Sequence, residues 1–147
     1  MARADKRPQI MQAAERLFTS RRFHEITLDD VAADAHVGKG TIYRYFQDKD
    51  DLFFQVATSG FEDLCELLQR NVPSDASFLQ QLTSACREIS GFYSRRRELL
   101  RMMQTEESRM TWCAGNLRDR WMEKRKTLVA AVAAILRKGV AEGVVRE

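Results

Sequence analysis

Breakers are scarce in this chain: 147 residues hold only 2 Pro and 7 Gly. With no run of β-branched residues, that scarcity argues against a strand-and-turn architecture and points to helices. Cysteine is scarce too. Cys65, Cys86 and Cys113 lie far apart, with no CxxC and no Cys/His pairing. That spacing excludes a sequence-visible zinc site and a disulfide framework, and predicts reduced, mostly buried thiols. His24 and His36 are the only histidines. Neither has a catalytic partner or a metal-ligand spacing, and no Ser or Cys has a neighbouring base, so no enzyme and no cofactor are expected. No apolar run approaches membrane-spanning length, and Met1–Pro8 lacks the apolar segment of a signal peptide. The expectation is a cytoplasmic protein without a membrane partner.

What is present is a globular composition, 44% hydrophobic and 31% charged. The net charge of +3 is small, but it is unevenly spread. Residues 1–22 carry six cations against two acids, residues 51–93 two against six, and residues 94–126 ten against five. The basic N-terminal end is a plausible footprint for a polyanion. A solvated helical surface is the plainer account.

Apolar spacing lays out the helices. Pro8 suits a first helical turn, and Ile10, Ala13, Ala14, Leu17 and Phe18 form one stripe, with Arg21 and Arg22 in the last turn. Thr27 is placed as an N-cap, with Asp30 completing a capping box ahead of Leu28, Val31, Ala32 and Ala35. His36-Val37-Gly38 breaks that helix, and Gly38 is the expected site of a strained backbone conformation. A third helix is expected over Lys39–Phe46, with Ile42 and Phe46 inward. Asp48 should cap a fourth that carries Leu52, Phe53, Val56, Phe61, Leu64 and Leu68 and fades near Val72-Pro73. Phe78, Leu82, Cys86, Ile89 and Tyr93 give a further stripe. Leu99, Leu100, Met102 and Met103 fit a short basic helix. A long helix should follow from about Ser108, with Met110, Cys113, Leu117, Trp121, Leu128, Val132 and Ile135 on one side and Gly139 and Gly143 ending or loosening it.

The third helix carries the chemistry. Ile42 and Phe46 can pin it, which leaves Lys39, Thr41, Tyr43, Arg44 and Tyr45 able to reach base edges and phosphates. Gly40 allows close backbone approach. Lys49 opens the next helix, where an ammonium and nearby amides could hold a phosphate. An αα-hairpin with packed aromatics is the plainer alternative, most serious for Tyr45. Thr27 is a cap first. Arg3, Lys6 and Arg7 fit a phosphate track or a solvated tail equally well.

These residues resemble a known family. Ile10–Phe18, Ile26–Ala32, Val37–Phe46 and Lys49–Phe53 are similar, in order and spacing, to the DNA-binding domain of the TetR/AcrR transcriptional regulators. The resemblance implies an all-α fold: an N-terminal three-helix helix-turn-helix domain, homeodomain-like, over residues 1–50, and a helical ligand-binding domain over residues 51–147. It gives recognition-helix roles to Lys39, Gly40, Thr41, Tyr43, Arg44 and Tyr45, and phosphate-clamping roles to Thr27 and Lys49. Family members often have histidine where Tyr45 stands.

The resemblance further implies a repressor that leaves a palindromic double-stranded DNA operator when a small, largely apolar effector binds. Candidate pocket residues are Phe61, Cys86, Phe92, Met103, Met110, Trp112, Cys113 and Trp121, each of which could equally be bundle core. Glu106 and Glu107 read as helix-dipole partners, and Arg95–Arg97 as a solvated turn. A homodimer is expected, because one helix-turn-helix reads few base pairs. The family's dimer helices usually follow the 139–143 region, and the chain ends at Glu147, so the fold is expected to lack them. The competing class is a ligand-binding or protein-interaction module whose DNA-binding motif is weak or vestigial.

Overall fold

The structure is a computed structural model that describes residues 4–70, 75–103 and 116–146. Among the described residues every regular element is helical. The chain divides into two compact units. The first comprises Met1–Ser59 and Glu98–Leu117, the second Gly60–Arg97 and Arg118–Glu147.

In the first unit, α1 (Arg7–Ser20) starts with proline in its first turn and ends before Arg21, which caps it rather than belonging to it. A short 3-10 turn (Phe23–Glu25) leads to α2 (Leu28–Asp34). Thr27 caps α2 through the expected box: its hydroxyl accepts from the Asp30 amide at 3.1 Å, and the Asp30 carboxylate accepts from the Thr27 amide at 2.9 Å. The strained residue after α2 is His36, at φ 52, and not Gly38, whose φ of −75 is ordinary. His36 is the left-handed residue of a helix-ending motif in which the Val37 amide donates back to the Ala32 carbonyl at 3.0 Å.

The third helix, α3, is shorter than its pattern suggested, Lys39–Tyr43. Ile42 and Phe46 are buried as expected. Asp48 caps α4 (Lys49–Ala57) by accepting from the Asp51 amide at 2.7 Å. The expected single helix through Leu68 is in fact two. At its end the Thr58 hydroxyl bonds the Phe54 carbonyl at 2.8 Å, and Gly60 takes φ 80. The break falls at Thr58-Ser59-Gly60, between the apolar Val56-Ala57 and Phe61. The unit also includes α7 (Arg97–Met103), whose Leu99 is buried in its core with Met102 packed alongside. Phe18, Phe23 and Phe53 form the aromatic heart, with centroid separations of 5.1–5.7 Å.

The second unit packs α5 (Phe61–Arg70), α6 (Phe78–Arg95) and α8 (Leu117–Ala141). Ser77 and Gln80 form a capping box that starts α6. The buried face of α6 is Phe78, Gln81, Ala85 and Phe92. Cys86 and Tyr93, expected on that face, are exposed. The stripe advances three residues after Leu82, onto Ala85, where the sequence offered the more apolar cysteine one position later. Gly139 does not end α8. A Cβ there would lie 2.7 Å from the Phe78 ring, so glycine permits this close packing. Gly143, at φ 70, follows the helix end.

Candidate nucleic-acid interface

The reading helix is held from behind and open in front. Ile42 has no exposed surface and Phe46 almost none, which fixes the rotation of α3 about its axis. That rotation leaves Tyr43 53% exposed, with Lys39, Gly40 and Arg44 also at the surface and Thr41 half-buried. Lys39 pairs with Asp29 at 3.2 Å across exposed surface, a contact worth little that a phosphate could replace.

Gly40 is informative because nothing in the fold requires it. A Cβ there would meet no atom within 4 Å, and its φ is not positive. Glycine inside a helix costs roughly 0.5–1 kcal/mol against alanine. The bare backbone at Gly40 therefore leaves the outer face of α3 open to close approach.

The other expected residues divide. The Thr27 hydroxyl lies at the surface and is engaged by Asp30 on both sides, accepting from its amide and bonding its carboxylate. Tyr45 is half-buried against the core, its ring 6.4 Å from Phe46, and its hydroxyl accepts from the Lys6 amide at 3.3 Å. Lys49 is committed within the unit. Its ammonium donates to the Phe23 and Ile26 carbonyls, each at 3.0 Å, and lies 4.3 Å from the Phe23 ring centre. It ties the 3-10 turn to α4, a structural role that spacing alone could not reveal.

Residues 10–56 match the family model of bacterial regulatory proteins, tetR family. The chain is 26% identical over 147 residues to the HTH-type transcriptional regulator YfiR of Bacillus subtilis, covering 95% of this chain and 68% of that one. Over residues 10–56 the chain carries a segment similar to the tetR family's. An HTH-type transcriptional regulator of Haemophilus influenzae is 28% identical over 107 residues, which are 73% of this chain and 57% of that protein. The fold also matches the transcriptional regulator FadR of Bacillus subtilis, solved in complex with stearoyl-CoA. That likeness has a TM-score of 0.76 and 20% identity, and covers 95% of this chain and 74% of that one. The matched segment runs from the first core residue of α1 through Val56 in α4, so it includes α2, α3 and the anchors Ile42 and Phe46.

Of the expected effector residues, Phe61 and Phe92 meet edge to face at 5.6 Å, and Trp121 lies 5.5 Å from Phe61. They fill the core of the second unit. Cys86, being exposed, lines no enclosed pocket. Met110, Trp112 and Cys113 lie outside the described residues, as do Glu106 and Glu107, and so does the Met103 side chain.

A groove of about 500 Å³ runs between α5 and α8. Phe61 and Cys65 lie on its apolar side and Arg120, Glu123 and Lys124 on its polar side. Lys124 pairs with Glu62, and burial lowers the pKa of its ammonium. Burial pushes the Cys65 thiol up, which keeps it protonated. Sequence reading missed Cys65, Arg120 and Lys124 because their meeting depends on how two helices separated by some fifty residues pack.

Proposed function

We propose that this protein is a transcriptional repressor that binds a palindromic operator as a homodimer through α3 and leaves it when an effector occupies the second unit. The observation that carries the reading is the surface of α3: Lys39, Tyr43 and Arg44 exposed on a helix pinned by Ile42 and Phe46, with Gly40 open to close approach. Such a helix fits the major groove, and its cation and hydroxyl donors suit guanine edges and phosphates.

The dimer reading is supported by an exposed apolar row on α8. Met122, Val129 and Leu136 are spaced by seven residues, the repeat of a helix that pairs with another helix. The α5–α8 groove, apolar at Phe61 and Cys65 and lined elsewhere by Arg120 and Lys124 together with Glu62, Glu66 and Glu123, suits an effector with both an apolar and a polar part.

The test uses a duplex selected from a random pool by the wild-type protein. Tyr43→Ala with Arg44→Ala should weaken its binding about a hundredfold, from two lost contacts, with an unchanged helical circular-dichroism spectrum. Undiminished binding removes the reading.

A further inference from the structure

Beyond α3, the exposed surface continues into a cleft of about 310 Å³. Lys6, His36, Thr41, Arg44 and Tyr45 supply its polar lining, with no carboxylate among the lining residues. Two cations, two hydroxyls and an imidazole facing one small space suit an oxyanion. Thr41 and Arg44 belong equally to the α3 region, so the cleft is continuous with the reading surface.

His36 is the residue that the fold does not explain. It holds φ 52, where glycine would be unstrained. Two positions on, the chain does place a glycine, at an N-cap that needs none. The His36 ring is exposed and has no partner among the described residues. Histidine tolerates this conformation better than most residues, but tolerance is no reason to prefer it to glycine.

The cleft is also held in shape without any ligand. The Gln9 side chain donates to the Ala35 carbonyl and accepts from the Lys6 ammonium at 3.3 Å. The Lys6 amide donates to the Tyr45 hydroxyl at 3.3 Å, which leaves that hydroxyl's own proton for another acceptor. The start of α1 is thereby tied to the turn before α3.

We propose that this cleft holds a backbone phosphate of the duplex, with His36 and Lys6 as phosphate contacts additional to α3. The proposal rests on the DNA-binding reading above. Its test compares His36→Gly, His36→Asn and Lys6→Ala with Tyr43→Ala/Arg44→Ala, measuring affinity for the selected duplex and for random duplex across a salt series. Thermal unfolding is followed in parallel.

His36→Gly should melt higher than wild type yet bind both duplexes about tenfold more weakly. His36→Asn, which keeps the backbone tolerance and loses the ring, should bind as weakly. Lys6→Ala should reduce the slope of log affinity against log salt by about 0.9. If the histidine and lysine variants bind like wild type while the α3 variant fails, the cleft proposal falls and the DNA-binding reading stands. If the α3 variant also binds like wild type, both fall. The His36 ring resonance should move on adding duplex and stay in place with inorganic phosphate at equal phosphate concentration. Equal movement with both would overturn the assignment to the duplex.

Discussion

The two units differ in how completely they close. Among the described residues, eight apolar residues of the first unit have no exposed surface at all: Ile10, Ala13, Ala14, Ile26, Val31, Ile42, Leu52 and Phe54. Among the described residues of the second unit only Phe61 approaches that, at 1%, and the rest of the core retains 2–8%. A reading helix of five residues cannot hold itself and must borrow rigidity from a sealed core. In the second unit a groove between α5 and α8 reaches the apolar interior, where it meets Phe61 and Cys65. Tight closure and accessible interior are thus assigned to different parts of one chain.

The sharpest way to break this contrast is to remove the same atoms from both cores. Ile42→Ala should cost about 4 kcal/mol of unfolding free energy, because a sealed site cannot collapse onto the cavity. Ile135→Ala in the second unit, already 5% exposed, should cost about 2 kcal/mol. Urea denaturation with separate probes for each unit checks both. Equal losses would show that the two cores are packed alike.

Lys49 comes next in size. Replacing it with Met keeps the aliphatic stem over Phe23 and removes two hydrogen bonds to carbonyls, at a cost of about 2 kcal/mol. The loss should appear in the first unit's unfolding alone. A stability unchanged by Lys49→Met would mean that the ammonium is not needed to hold the 3-10 turn.

Thr27 and Asp30 follow. Thr27→Ala should cost about 1 kcal/mol. The Asp30 pKa lies below the ordinary aspartate value, chiefly because its carboxylate accepts from the Thr27 backbone, with the Thr27 hydroxyl next. The sign follows: a carboxylate favoured in the folded state contributes stability that is full above the unfolded aspartate pKa, near about 3.9, and fades as pH falls through the lower folded value. Acid titration of Asp30→Asn should therefore lack part of the wild-type decline below that range. Superimposable acid limbs would show that the cap does not depend on the charge.

What could be read from sequence was local. The caps at Thr27 and Asp48 sit three residues from the amides they bind, and the α1 and α2 stripes repeat within single helices. The all-helical fold and the anchoring pair Ile42 and Phe46 followed from such short-range patterns. What escaped was set by distance or by phase. Lys49 meets carbonyls 23 and 26 residues away. The choice of Ala85 over Cys86 depends on where α5 and α8 pack, and the helix end at Thr58-Ser59-Gly60 escaped because apolar residues flank it on both sides. His36 escaped because a glycine two positions later drew the expectation of strain to itself.

The smallest expected effect is on Gly40, and it separates the two kinds of demand on the first unit. Since a Cβ there meets nothing within 4 Å, Gly40→Ala should stabilise the unit by roughly 0.5–1 kcal/mol, the usual gain inside a helix. If the bare backbone exists for DNA to approach, the same substitution should weaken duplex binding while raising the melting temperature. Opposite signs from one methyl group would locate the requirement outside the protein. A gain in stability with unchanged affinity would mean that the duplex never comes that close, and would shift the contact surface of α3 toward Tyr43 and Arg44 alone.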